Sequence, residues 1–136
     1  MLRAVVFCLL LLSGGCASVE SVRVAPGTAD RTFRLQEPCD VVSAALRAAL
    51  LELGFRVDID DGDDACPKEF VATSPISAFS WGEIVRLRLH QQHGERVLAI
   101  HTERRLATNL TARGDWALEI YQVLVMRLLN RSGVSE

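Results

Sequence analysis

The sequence predicts one α+β domain, a two-layer sandwich in which a mostly antiparallel sheet of about five strands carries two helices on one face. Several segments between residues 31 and 103 alternate apolar and polar side chains, as half-buried strands do. Two longer segments, 40–53 and 115–131, repeat apolar residues at helical spacing along one side only. A sheet with one apolar face needs a cover, and two one-sided helices can provide it.

The first helix is the most clearly marked element of the domain. We expect Asp40 to be its N-cap and Leu53 its last residue, with Gly54 in the left-handed conformation that ends many helices. Ser43 and Arg47 should face water. The predicted apolar stripe consists of Val42, Ala45, Leu46, Ala49, Leu50 and Leu53.

The second helix should begin after Asp115, which is a favourable N-cap residue, and continue to about Arg131. Residues 132–136 then form a short tail. The predicted buried stripe consists of Ala117, Tyr121, Leu124 and Leu128, flanked by Ile120 and Val125.

Five segments read as strands, and the last two form the clearest hairpin. The first two strands should run parallel to each other, because each runs against the helix between them. The hairpin, with its turn at 92–95, should have its apolar faces on the same side and leave Arg88 and His90 on a basic, partly solvated outer face. The predicted strands are Arg31–Leu35, Phe55–Asp60 (with Phe55, Val57 and Ile59 on one buried face), Glu69–Thr73, Ile84–Gln91 and Arg96–Glu103. The predicted hairpin pairs are Leu89 with Leu98, Leu87 with Ile100, and Arg86 with His101.

The first sixteen residues have the composition of a bacterial export signal. A basic start is followed by the apolar run 4–12, which is too short to span a bilayer, and then by small residues and Cys16. This stretch resembles a lipoprotein signal peptide, which implies that residues 1–15 are removed and that Cys16 is acylated. An ordinary signal cleaved before Ser18 is the alternative. Residues 16–30 would then be the lipidated cysteine and a flexible tether.

The residue that follows the cysteine bears on localisation. It is Ala17 rather than an aspartate. By the same resemblance, this implies the periplasmic face of the outer membrane of a Gram-negative bacterium.

Two further cysteines, Cys39 and Cys66, are expected to form a disulfide. The first helix advances about 21 Å and the next strand returns about 20 Å, which brings Cys66 back beside the start of the helix. Disulfides persist in exported proteins. Two independent buried thiols are the alternative.

Residues that could hold a metal or carry out catalysis are weakly marked. The acidic turn at 58–64 does not fit the register of a calcium loop, and His90, His93 and His101 lack a ligand pattern, so we expect no metal. No phosphate loop, nucleophile elbow or zinc motif is present. The formal net charge of −2 comes without any block of basic residues, which gives no reason to expect nucleic acid. We therefore expect neither enzymatic activity nor a cofactor.

The loop at 75–82 contains large apolar side chains at Ile76, Phe79 and Trp81. Such residues either cap the core or contact another molecule. We take Phe79 and Trp81 as possible partner contacts and expect Ile76 to cap the core.

Short stretches of the domain resemble a group of small Gram-negative outer-membrane lipoproteins of unknown function. These stretches are 40–45, 50–55, 70–72 and 114–115, and the domain order that we associate with them is strand, helix, three strands, helix. The domain is more distantly similar to the helix-on-sheet domains of a lipoprotein subunit in the outer-membrane barrel-assembly machine. Because no catalytic motif is present, we expect a non-enzymatic, lipid-anchored accessory or scaffold protein that contacts an envelope protein through its exposed sheet face or the loop at 75–82. A periplasmic binding module for a small ligand or envelope polymer is the alternative.

Overall fold

The computed structural model describes residues 18–19, 29–63, 65–75, 82–104 and 115–133. Four strands lie between the two helices of this part of the chain. This agrees with the list of predicted strands and shows that the order with three strands between the helices is wrong. The elements are β1 (Arg31–Leu35), α1 (Cys39–Glu52), β2 (Arg56–Asp61), β3 (Lys68–Thr73), β4 (Glu83–Gln92), β5 (Glu95–Arg104) and α2 (Trp116–Ser132).

The five strands form one sheet in the order β1-β5-β4-β3-β2, and each neighbouring pair is antiparallel. β1 and β2 lie at opposite edges and run parallel to each other, as predicted, because four reversals of direction separate them. The predicted α+β architecture is confirmed.

Both helices pack on one face of the sheet, called here the inner face. The ring of Phe33 on β1 stacks on that of Tyr121 on α2, with 3.9 Å between ring centroids. Phe55 meets the edge of Trp116 at 4.8 Å. The fully buried members of this core include Val42, Leu46, Leu50, Phe70, Leu87, Leu98, Ile100, Ile120 and Leu124.

The β4–β5 hairpin has the predicted register. Leu89 lies opposite Leu98, Leu87 opposite Ile100, and Arg86 opposite His101. The turn consists of His93 and Gly94, both with positive φ, which is the conformation of a two-residue turn whose twist matches that of the strands.

The start of α1 differs from the prediction. The helix begins at Cys39, and Pro38 occupies the N-cap position, without a side-chain cap. Asp40 therefore lies inside the first turn, where its charge suits the positive end of the helix. Pro38 decides this boundary because its fixed φ and missing N–H suit the start of a helix.

The end of α1 and the start of α2 agree with the prediction. Gly54 has φ +82°, and the N–H groups of Gly54 and Phe55 donate to the carbonyls of Leu51 and Leu50, which is a Schellman cap. The side chain of Asp115 accepts a hydrogen bond from the Leu118 N–H at 3.1 Å.

Ser43 is fully buried, which corrects its assignment to the water-facing side of α1. The part of the α1 surface that packs against the rest of the domain is wider than its apolar stripe. The small side chain of Ser43 fits at the edge of this buried surface. Arg47, its neighbour on the helix surface, reaches across to Asp60 on β2.

A bulge in β2 overturns the predicted face of Ile59. The register shifts between Val57, which pairs with Ala72, and Ile59, which pairs with Val71. One extra residue at this point turns the rest of the strand over. Ile59 therefore packs on the far side of the sheet from Val57, and Asp60 is turned to the inner face.

Cys39 and Cys66 form the predicted disulfide, with 5.7 Å between their Cα atoms. The bond joins the first turn of α1 to the residues that lead into β3. Both cysteines pack against the main core.

Several sequence predictions fall outside the described residues. These are the signal peptide, Cys16, most of the tether, the apolar loop side chains Ile76, Phe79 and Trp81, and the end of the C-terminal tail. Among the residues that the structure does describe, no helix is long and apolar enough to cross a membrane.

Candidate contact surface on the helix layer

The outward side of the helix layer carries large apolar side chains that no described element covers. Leu51 on α1 is 60% exposed, and Met126 and Leu129 on α2 are 59% and 61% exposed. Leu118 is exposed to a lesser degree. Residues 118, 126 and 129 recur at helical spacing, so α2 has a second apolar stripe opposite its buried one.

An open cleft of about 450 Å³ runs beside this stripe. It is lined by Glu52, Gln122, Val123, Met126, Arg127 and Asn130. The guanidinium of Arg127 binds the Glu52 carboxylate, with 2.6 Å between Nη2 and Oε2. This ion pair links the end of α1 that carries Leu51 to the segment of α2 that carries Met126. Met126 lines the cleft itself. The exposed apolar residues and the cleft are together called here the helix-layer surface.

The opposite face of the sheet is called here the open face because neither α1 nor α2 packs on it. It was predicted to be basic, but it is not. Arg34 contacts Glu95 at 3.1 Å, and Arg86 and Arg88 share the carboxylate of Glu69 at 3.3 and 3.0 Å. The pleat places Arg34, Arg56, Arg86 and Arg88 on this face together with Asp30, Asp58, Asp61, Glu69, Glu95 and Glu103. The alternation of β4 alone suggested a basic face, because the carboxylates come from the other strands.

The three histidines lie apart from one another. His93 is in the hairpin turn, His90 is opposite Val97, and His101 is opposite Arg86, four residues along the ladder from the position of His90. His101 Nδ1 lies 3.2 Å from the Asp30 carboxylate. Among the described residues, no group of three His, Cys, Asp or Glu side chains could hold a metal ion.

The acidic turn supplies Asp60 to a charged cluster under α1. Its carboxylate pairs with Lys68, whose side chain is 4% exposed, and with Arg47 at 2.7 Å. Both cations lie over the Phe70 ring, at 5.7 Å for Arg47 Cζ and 5.4 Å for Lys68 Nζ. Partial burial acts to raise the pKa of Asp60, but the hydrogen bonds and charges of Lys68 and Arg47 outweigh it and lower this pKa.

A buried carboxyl that the sequence did not single out lies at the other end of the inner face. Glu83 accepts a hydrogen bond from the indole N–H of Trp116. Burial raises the pKa of Glu83, although that hydrogen bond and the charge of Arg104 oppose the rise. A raised carboxyl pKa is common in catalytic acids. Here the carboxyl is almost fully buried and bound to a core indole, which favours a structural role.

The structure thus brings Cys39 and Cys66 together, whereas Cys16, Phe79 and Trp81 lie outside the described residues. The helix-layer surface was missed from the sequence. The sequence does contain a signal for it, which is the second stripe at residues 118, 126 and 129. The prediction treated α2 as an ordinary amphipathic helix with a single apolar stripe. No protein-family model and no curated protein sequence matches this chain.

Proposed function

We propose that the protein is a non-enzymatic, lipid-anchored protein of the Gram-negative cell envelope, which acts as an accessory or scaffold through contacts made by its helix-layer surface. The observation that supports contact as the mode of action is the exposure of Leu51, Met126 and Leu129 in a layer whose core is already filled. Single exposed leucines are ordinary, but several on one surface are typical of a protein interaction site. The predicted contacts of Phe79 and Trp81 remain part of this proposal.

The anchoring part of the proposal rests on Cys16 and its flanking sequence. Replacing Cys16 with Ala should release the protein from membranes into the soluble envelope fraction, because two or more acyl chains make a durable anchor. Fractionation and intact-mass analysis test this. A mature N-terminus at Ser18 without acyl mass would contradict it.

If the helix-layer surface binds the partner, Met126→Glu and Leu129→Glu should each weaken partner binding about 30-fold. This corresponds to about 2 kcal/mol, as expected for a contact at the centre of an interface. Because both side chains are exposed, the free energy of unfolding should change by less than about 0.5 kcal/mol. Site-specific photo-crosslinking from position 122 in cells, with mass spectrometry of the adduct, measures the contact, and thermal melts measure stability.

Gln92→Glu is the matched control, since it adds the same charge at an exposed site in the hairpin, outside the helix-layer surface. It should leave the crosslinked adduct unchanged. Equal adduct yields in all variants would refute the helix-layer surface as the contact site.

A small-ligand binding module remains the second candidate, because the cleft volume falls within the range of ligand sites, roughly 300–1,000 Å³. Gln122, Arg127 and Asn130 offer polar groups to such a ligand. A photo-adduct of small mass at position 122, instead of a protein adduct, would favour this candidate.

A further inference from the structure

A small apolar cluster lies on the open face of the sheet, away from both helices. Val71 on β3 and Ile84 on β4 are almost fully buried, although the main core is on the other face. Val19 and Ile59 pack against them. Ile59 is there because of the bulge in β2. Val19 comes from the segment for which the sequence predicted a flexible tether.

Val19 lies only three residues after Cys16 along the chain. A fully extended chain spans at most about 3.6 Å per residue, so the two Cα atoms lie within about 11 Å of each other. A domain of this size has a radius of gyration of about 13 Å and thus a diameter of about 34 Å. A link of 11 Å starting on the open face cannot reach around such a body to another side.

We propose that Val19 holds the N-terminal segment on the open face and thereby turns this face toward the membrane that anchors Cys16, with the helix-layer surface pointing away from the membrane. This inference rests on the acylation of Cys16 proposed above. The partner on this side of the domain is the lipid headgroup layer, which meets exposed side chains of the open face such as Arg88 and not the almost fully buried Val71, Ile84 and Arg86. The helix layer is left free for a protein partner.

The covalent link, rather than charge, sets this orientation. The open face carries four arginines and six carboxylates, so it offers no net positive charge to anionic lipids. A free tether from residue 16 to 30 would have an r.m.s. span of roughly 20 Å and would allow many orientations. Packing of Val19 shortens the free length to three residues. The orientation should therefore be insensitive to salt, unlike electrostatic attachment.

The test compares two spin labels on the full-length chain, processed in a Gram-negative host and reconstituted in phosphatidylethanolamine–phosphatidylglycerol vesicles that contain a nickel-chelating lipid. The labels are attached at Arg88→Cys on the open face and Leu129→Cys on the helix layer. With Cys16 acylated and Cys39 bonded to Cys66, the introduced thiol is the one available for labelling. Relaxation of the Arg88 label by headgroup nickel should be several-fold greater than that of the Leu129 label, at low and high salt alike.

Val19→Asp should abolish this difference, because a carboxylate at this partly buried position cannot replace the apolar contacts of the valine with the cluster, and Val19→Ile should preserve it. Equal relaxation of the two labels in the otherwise unchanged protein, or greater relaxation at Leu129, would overturn the inference.

A second measurement distinguishes failure of the Val19 packing from failure of the anchoring by Cys16. In the soluble Cys16→Ala protein, Val19→Asp should accelerate amide hydrogen exchange in β3 and β4 several-fold, while Val19→Ile should not. Unchanged exchange would disprove packing of Val19 on the sheet even if the protein is acylated. Accelerated exchange in this protein, together with an absence of acyl mass on the protein that retains Cys16, would instead refute the anchoring proposal alone.

Discussion

Removal of the disulfide between Cys39 and Cys66 should lower the free energy of unfolding by about 3.5 kcal/mol, because an unbridged chain regains the entropy of an open loop in the unfolded state. The two cysteines are separated by 27 positions in the sequence. The bond joins the start of α1 to the residues that lead into β3. The expected loss is a large share of the stability of a domain of this size.

The measurement is chemical denaturation of the Cys39→Ala/Cys66→Ala protein beside the unchanged protein. A reductant should destabilise the unchanged protein to a similar extent. It should have no effect on the double variant, which is therefore the control for side effects of the reductant. Equal unfolding free energies with and without the bond would show that the bond does not constrain the unfolded chain.

Replacing Asp60 with Ala should lower the free energy of unfolding by about 3 kcal/mol, because it removes the carboxylate that neutralises an almost fully buried ammonium group. Lys68 is 4% exposed, and its Nζ also donates to the Gly62 carbonyl at 2.7 Å. We expect the low end of the range for buried ion pairs, since Asp60 itself is 30% exposed.

A second substitution distinguishes charge from packing. Adding Lys68→Met to Asp60→Ala should recover most of the lost stability, because it removes the buried charge and keeps an apolar chain against Phe70. Glu95→Ala is the control, since it breaks an exposed pair with Arg34 and should cost less than about 1 kcal/mol. A double variant no more stable than Asp60→Ala alone would contradict an electrostatic origin.

The pH dependence of the same cluster has a definite sign. The pKa of Asp60 is lower in the folded state than its ordinary value of 3.8, so the folded protein favours the ionised form. Its contribution is complete well above 3.8 and is lost as the pH falls through the lowered folded-state pKa. The difference in stability between the unchanged protein and Asp60→Ala should therefore shrink only in strong acid.

Features governed by local rules could be read from the sequence alone. The alternation of apolar residues in the hairpin allows one register that puts both apolar faces together, and that register is the one observed. Gly54 ends α1 because glycine adopts positive φ without steric cost. The lengths of a helix and a strand sufficed to bring Cys66 back to Cys39.

Features that depend on neighbouring strands were decided only by the tertiary structure. The bulge near Asp58 exists because β2 pairs with β3, and this single inserted residue turns Asp60 inward to Lys68 and Ile59 outward to Val71. Strict alternation cannot show such an insertion. The burial of Ser43 has a related cause. The sheet beneath α1 determines how much of the helix surface is buried, and the pattern within the helix does not show this.

The candidate contact sites also depended on what covers each surface. Periodicity shows that Met126 and Leu129 share a side of a helix, but only the packed structure shows that this side is left exposed. The same holds for Val19, whose sequence surroundings contain no helical or strand period, yet which packs on a sheet whose strands are distant in the chain. Burial is a property of the whole assembly of elements, and a pattern within one element determines only which residues lie on the same face.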